Sequence, residues 1–156
     1  MQDWINEGIK GARKAKNEWL KRRYSFVALR LAYYHGESEE VIQIFDKYFS
    51  ANTKKDALDY WAMSYKAASM NISPEKNVIA SVVFKECQEK QWFMKSIYQT
   101  QISLDESLKA CNSKEEKLAL ILLDGILEPG KSLQHIRLAY DLSPYAQETK
   151  FLVDRE

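Results

Sequence analysis

A chain of 156 residues with 23 lysines and arginines against 22 acidic residues carries a net charge of +1, a balance that excludes a broad electrostatic footprint for nucleic acid or an anionic membrane. Aromatic residues make up 12% of the sequence while prolines number three and glycines five, which argues against disorder and against a loop-rich or all-β fold. No apolar run reaches the roughly 18 residues of a membrane span, and the opening MQDWINEGIKGARKAK lacks the apolar centre of a signal peptide.

Taken in order, residues 3–15 place Trp4, Ile5, Ile9 and Ala12 at helical spacing. They predict a helix, weakened by Gly8 and Gly11 at about 1 kcal/mol each against alanine. The following run ARKAKNEWLKRR holds six basic residues and one acid, and reads as a solvated face beside a helix junction with Trp19 turned into the core. From Arg22 to Phe49 two amphipathic helices fold back through Gly36. In the first, Phe26, Leu29 and Tyr33 form one stripe and Val27, Leu31 and Tyr34 a second, which predicts packing on both sides. In the second, Ser38 is the expected N-cap, Glu39 and Glu40 occupy the first turn, and Val41, Ile44, Phe45, Tyr48 and Phe49 face inward.

A further pair spans 54–88. Leu58, Trp61, Ala62 and Tyr65 line its first helix; Ser73 and Pro74 start its second, with Val78, Ile79, Val82, Val83 and Phe84 within. A shorter pair at 90–111 carries Trp92, Phe93, Ile97 and Tyr98, then a Ser103/Glu106 capping box ahead of Leu104, Leu108 and Cys111. The last pair, 113–142, opens with Ser113 as cap. Its first helix, KEEKLALILLDGIL, is the most apolar stretch of the chain, and its second points Leu133, Ile136, Ala139 and Tyr140 inward. Residues 144–156 supply one more helix and, like 3–15, read as a partial unit or flanking helix. Because KFLVDRE stops within a helical pattern, the chain is expected to be a piece of a longer protein.

Phe26, Leu29, Tyr33, Gly36, Val41 and Phe45 resemble the aromatic, leucine, tyrosine, turn and second-helix positions of a tetratricopeptide repeat; Ala68, Ala80 and Phe84, and the ending AYDLSP, resemble them again further along. The chain is thus similar to the divergent tetratricopeptide-like segments of large uncharacterised bacterial proteins, although Arg30 stands where a small residue is usual. This resemblance implies an all-α fold, a right-handed α-α superhelix of antiparallel pairs with about nine or ten helices, forming a single helical-repeat domain over 1–156.

Chemistry is not expected. Neither GxGxxG nor GxxxxGK[ST] occurs, no HExxH or carboxylate-plus-histidine pair suits a metal, and no serine or cysteine has a histidine at an inferable distance. His135 reads as a surface or hydrogen-bonded structural residue. Cys87 and Cys111 read as buried thiols, with a disulfide left open. The function expected is non-catalytic binding of a protein or peptide, with no cofactor, no metal, no nucleic acid and no membrane insertion. Arg23, Arg30 and Tyr34, extended by Tyr60, Ser64 and Lys66, are the candidate contact residues. The alternative is a structural segment that self-assembles into a homo-oligomer through an uncapped repeat end.

Overall fold

The computed structural model describes residues 2–156. Among them are ten α-helices, two single turns of 3-10 helix and no strand. The chain divides into two compact units, the first ending at Asn71 and the second running from Ile72 to Glu156. The division falls inside the segment expected as the 54–88 pair.

The first unit holds α1 (Gln2–Lys14), α2 (Glu18–His35), α3 (Ser38–Tyr48) and α4 (Ala57–Ser69). Helix α1 packs along α2, α2 and α3 form a hairpin, and α4 rests on both α3 and α2. Glycine makes the first of these contacts: a Cβ built on Gly8 would stand 3.0 Å from the Ala28 Cβ. Asn17 caps α2 by accepting from the Leu20 amide at 2.8 Å. Gly36 ends it at φ 85°, the left-handed conformation that glycine adopts without a Cβ penalty, while its N–H bonds back to the last turn.

Ser38 is not the cap of α3. That position belongs to Glu37, which makes no side-chain cap bond, and Ser38 is already helical because the Gly36 turn is so tight. Helix α4 opens on a capping box between Asp56 and Asp59, which the sequence reading missed.

The second unit holds α5 (Pro74–Glu86), α6 (Gln91–Ile97), α7 (Leu104–Lys109), α8 (Lys114–Leu127), α9 (Ser132–Leu142) and α10 (Gln147–Arg155). The expected caps are present: Ser73 ahead of Pro74, the Ser103/Glu106 box, and Ser113. As the run KEEKLALILLDGIL demands, α8 is central. It packs against α5, α7, α9 and α10, and buries Leu118, Ala119, Leu120, Ile121 and Leu123. Leu118 and Ile121 join Ala139 and Leu152 in the core between α8, α9 and α10.

Five expected orientations differ. Trp4 and Trp19 lie on the surface, where Gly8 and Ala12 rather than Trp4 carry the α1 contact. Trp92 is exposed and Met94 takes its inward place. On α9, Leu133 and Tyr140 face out while His135 and Ala139 face in. A hydrogen bond from Nε2 to Asp124 holds the histidine inward, so the helix turns the other edge of its stripe toward the core.

Candidate functional site

Helix α2 has neighbours on three sides, α1, α3 and α4. Of the second stripe expected to pack, Val27 and Tyr34 lie on the side left open, while Leu31 is half-buried. Trp19 is 63% exposed, Val27 51% and Tyr34 71%, and Arg23 and Arg30 lie exposed between them. These five positions follow one another at four- and three-residue steps, so they form a single ridge. At 1.5 Å per residue it runs for about 22 Å. Leu20 and Tyr24, 38% and 45% exposed, widen its start.

The charge on the ridge has one sign. The only acid of α2 is Glu18, and Lys21 answers it at 3.1 Å. Arg22 points elsewhere: its guanidinium grips Asp56 through two bonds of 2.8 and 2.6 Å and reaches Asp59 at 3.0 Å. This clamp joins α2 to the start of α4. Asp59, buried, also accepts from Asn52 at 2.7 Å and from the Asp56 amide at 2.9 Å. The hydrogen bonds from Arg22 hold the Asp56 carboxyl at about 2, well under its ordinary value. Arg23 and Arg30 reach no carboxylate among the described residues. Arg23 instead lies 5.1 Å from the centre of the Trp19 ring.

Of the six residues expected to form a contact surface, Arg23, Arg30 and Tyr34 share this ridge. Tyr34 belongs to an aromatic cluster with Tyr33 at 5.4 Å and Tyr65 at 6.2 Å, and Phe26 and Trp61 continue it. Burial, then hydrogen bonding to Tyr34, pushes the Tyr65 hydroxyl up to about 12, while nearby Arg30 opposes the shift. Tyr60 is half-buried. Ser64 is fully buried, its hydroxyl donating to the Trp61 carbonyl, and offers no contact surface. Lys66 turns toward α3, where it meets Asp46 at 2.6 Å and covers the Phe45 ring.

The second unit contains a buried polar network that the sequence reading did not identify. The Tyr98 hydroxyl donates to Asp124 Oδ1 at 2.8 Å, and His135 Nε2 meets Asp124 Oδ2 at 2.7 Å. All three side chains are buried, and His135 Nδ1 has no partner. Burial, then the Asp124 charge, pushes the Tyr98 hydroxyl far above its usual range. Asn77 makes a second link: it donates to the Gln99 carbonyl at 3.0 Å and accepts from the Gln99 amide at 2.8 Å. A sequence signal existed for the first network, since Asp124 is the one acid within the apolar run of α8.

A cavity of about 150 Å³ adjoins His135 and Asp124 and is lined also by Ser103, Glu128, Lys131 and Gln134. A wider cleft of about 690 Å³ lies over Phe84, Leu122, Ile126 and Phe151, with Lys85, Lys95 and Arg155 at its edge. Burial is the largest influence on the Glu148 carboxyl there and raises it, but the Lys85 bond at 2.6 Å, a backbone hydrogen bond and the Lys85 charge together bring it below its ordinary value.

No protein-family model matches this sequence, and neither the curated proteins nor the solved structures contain a significant match.

Cys87 and Cys111 are free thiols, and burial pushes both up, Cys111 to about 11, so neither is a ready nucleophile. His135 is tied to Asp124 but has no hydroxyl or thiol bonded to it. Among the described residues no group of three or more histidines, cysteines or acids is placed to hold a metal. Nor, among those residues, is any helix long and apolar enough to cross a membrane.

Proposed function

We propose that this chain is a non-catalytic module that binds another protein or peptide, with the open side of α2 as its contact surface. The observation that carries this reading is the ridge itself, a row of half-exposed apolar and aromatic side chains interleaved with two arginines that no carboxylate among the described residues answers. Interface centres are enriched in tryptophan, tyrosine and arginine. A tetratricopeptide-like superhelix is part of the same proposal. It is supported by the antiparallel hairpins α2–α3 and α8–α9 and by the left-handed Gly36 turn.

The test is site-specific photo-cross-linking. A photoreactive residue at Val27 captures a second protein in a cell extract, whereas one at Lys150, on the exposed side of α10, does not. Equal capture from both positions, or none from Val27, refutes the assignment.

A second reading, self-assembly, is favoured by one observation. Leu133 on α9 is 81% exposed, and Tyr140 and Tyr145 lie exposed further along the same segment. On that reading light scattering finds a dimer or larger species that Leu133→Glu dissolves into monomer.

A further inference from the structure

We infer that the occupant of the α2 ridge is an amphipathic helix whose apolar stripe is flanked by acidic residues. This rests on the contact surface proposed above and names its partner by chemistry.

Shape selects a helix. The ridge is straight, about 22 Å long at 1.5 Å per residue, and set at the helical steps that pack into the groove of a second helix. With α1, α3 and α4 already placed, one further helix would complete the surroundings of α2.

Charge selects acidic flanks. Arg23 and Arg30 stand two turns apart, on either side of Val27. Each can take a carboxylate through two parallel bonds. Glu18, the only acid of the helix, is occupied by Lys21.

The same arrangement disfavours two other occupants. A second copy laid antiparallel across Val27 would set Arg23 against Arg30 of its neighbour, like charge on like. A single-stranded nucleic acid needs free aromatic faces. Here the two aromatic rings of the ridge, Trp19 and Tyr34, stand at its opposite ends, about 22 Å apart, too far for successive bases to stack, and its centre is the aliphatic Val27.

The probe is a displayed library of helical peptides with randomised flanking positions, selected against the whole chain. Enriched sequences carry apolar residues at three- and four-residue steps with aspartate or glutamate beside them. Arg23→Glu/Arg30→Glu weakens them at least about tenfold, Arg23→Gln/Arg30→Gln less, and Val27→Asp abolishes binding. Selection against the charge-reversed protein returns lysine and arginine flanks instead. Far-ultraviolet circular dichroism confirms that each variant keeps its helix content.

Enriched helices that depend on Val27 but show no acidic preference would overturn the inference and leave the binding function standing. Peptides indifferent to Val27→Asp would remove both. A Val27-dependent dimer in light scattering, or an oligouridine that binds through Arg23 and Arg30 where the peptides do not, would replace the acidic helix with that occupant.

Discussion

Helices α2 and α8 are the longest of their respective units, and their polar residues have opposite fates. Helix α8 is enclosed, and its single buried acid, Asp124, is bonded to a tyrosine and a histidine from other parts of the same unit. Helix α2 is enclosed on three sides only. There Arg22 is spent on Asp56 and Asp59, while Arg23 and Arg30 remain without a carboxylate. A buried charge without a partner is costly, so the enclosed helix has its partners built in. An arginine in water carries no such penalty and remains available to something outside the chain.

The hardest blow to this contrast is Asp124→Ala. It strands the Tyr98 hydroxyl and leaves His135 without an acceptor, and should cost about 3 kcal/mol. Amide exchange should quicken across α8 and α9 while α2 keeps its protection. If α2 loosened equally, the two units would not be separate in stability.

Next comes Gly8→Val, which places a branched side chain where even a Cβ stands 3.0 Å from Ala28. A loss of about 2 kcal/mol in denaturant unfolding is expected, confined to the first unit.

The Arg22 clamp gives a smaller, pH-dependent effect. The folded value for Asp56, about 2, lies below its unfolded value, which is about 3.9. Its contribution is therefore present above pH ~4 and fades as the pH falls toward 2. Since Asp56 is more than half exposed, solvent screening holds that contribution to about 1 kcal/mol or less. Arg22→Gln should flatten this part of the stability profile, which acid titration of the unfolding midpoint would detect.

Smallest of all is Arg23→Gln with Arg30→Gln. Folding stability should change by no more than about 0.5 kcal/mol, even though binding falls. A larger loss of stability would mean that these arginines support α2 rather than serve a partner.

Much of this was legible in the sequence. The helix caps at Ser73, Ser103 and Ser113 and the glycine turn at residue 36 are local, each fixed by a few neighbouring atoms. So is the enclosure of α8, whose run is apolar all round. What periodicity could not supply was which stripe of α2 is covered, because Phe26–Leu29–Tyr33 and Val27–Leu31–Tyr34 both follow three- and four-residue helical steps and only the placement of α1, α3 and α4 chooses between them. The face of α9 was misjudged for a related reason. His135 was read as a surface or hydrogen-bonded structural residue, and its bond to Asp124, eleven residues earlier in sequence, decides for the second and turns it inward. Ser64 and Lys66 fell away from the surface because neighbouring positions on a helix point in different directions. Arg23, Arg30 and Tyr34 stayed together because they are three or four residues apart on α2 or a small multiple of that.

Gly8 has one more consequence. With little room for a methyl group between the two helices, α1 lies close against α2 where Gly8 meets Ala28. One bank of the arginine ridge is thus set before any visitor arrives, and little motion there has to be frozen on docking. Association should resemble a key meeting a rigid lock, fast to form and showing little of the heat-capacity change that accompanies folding on contact.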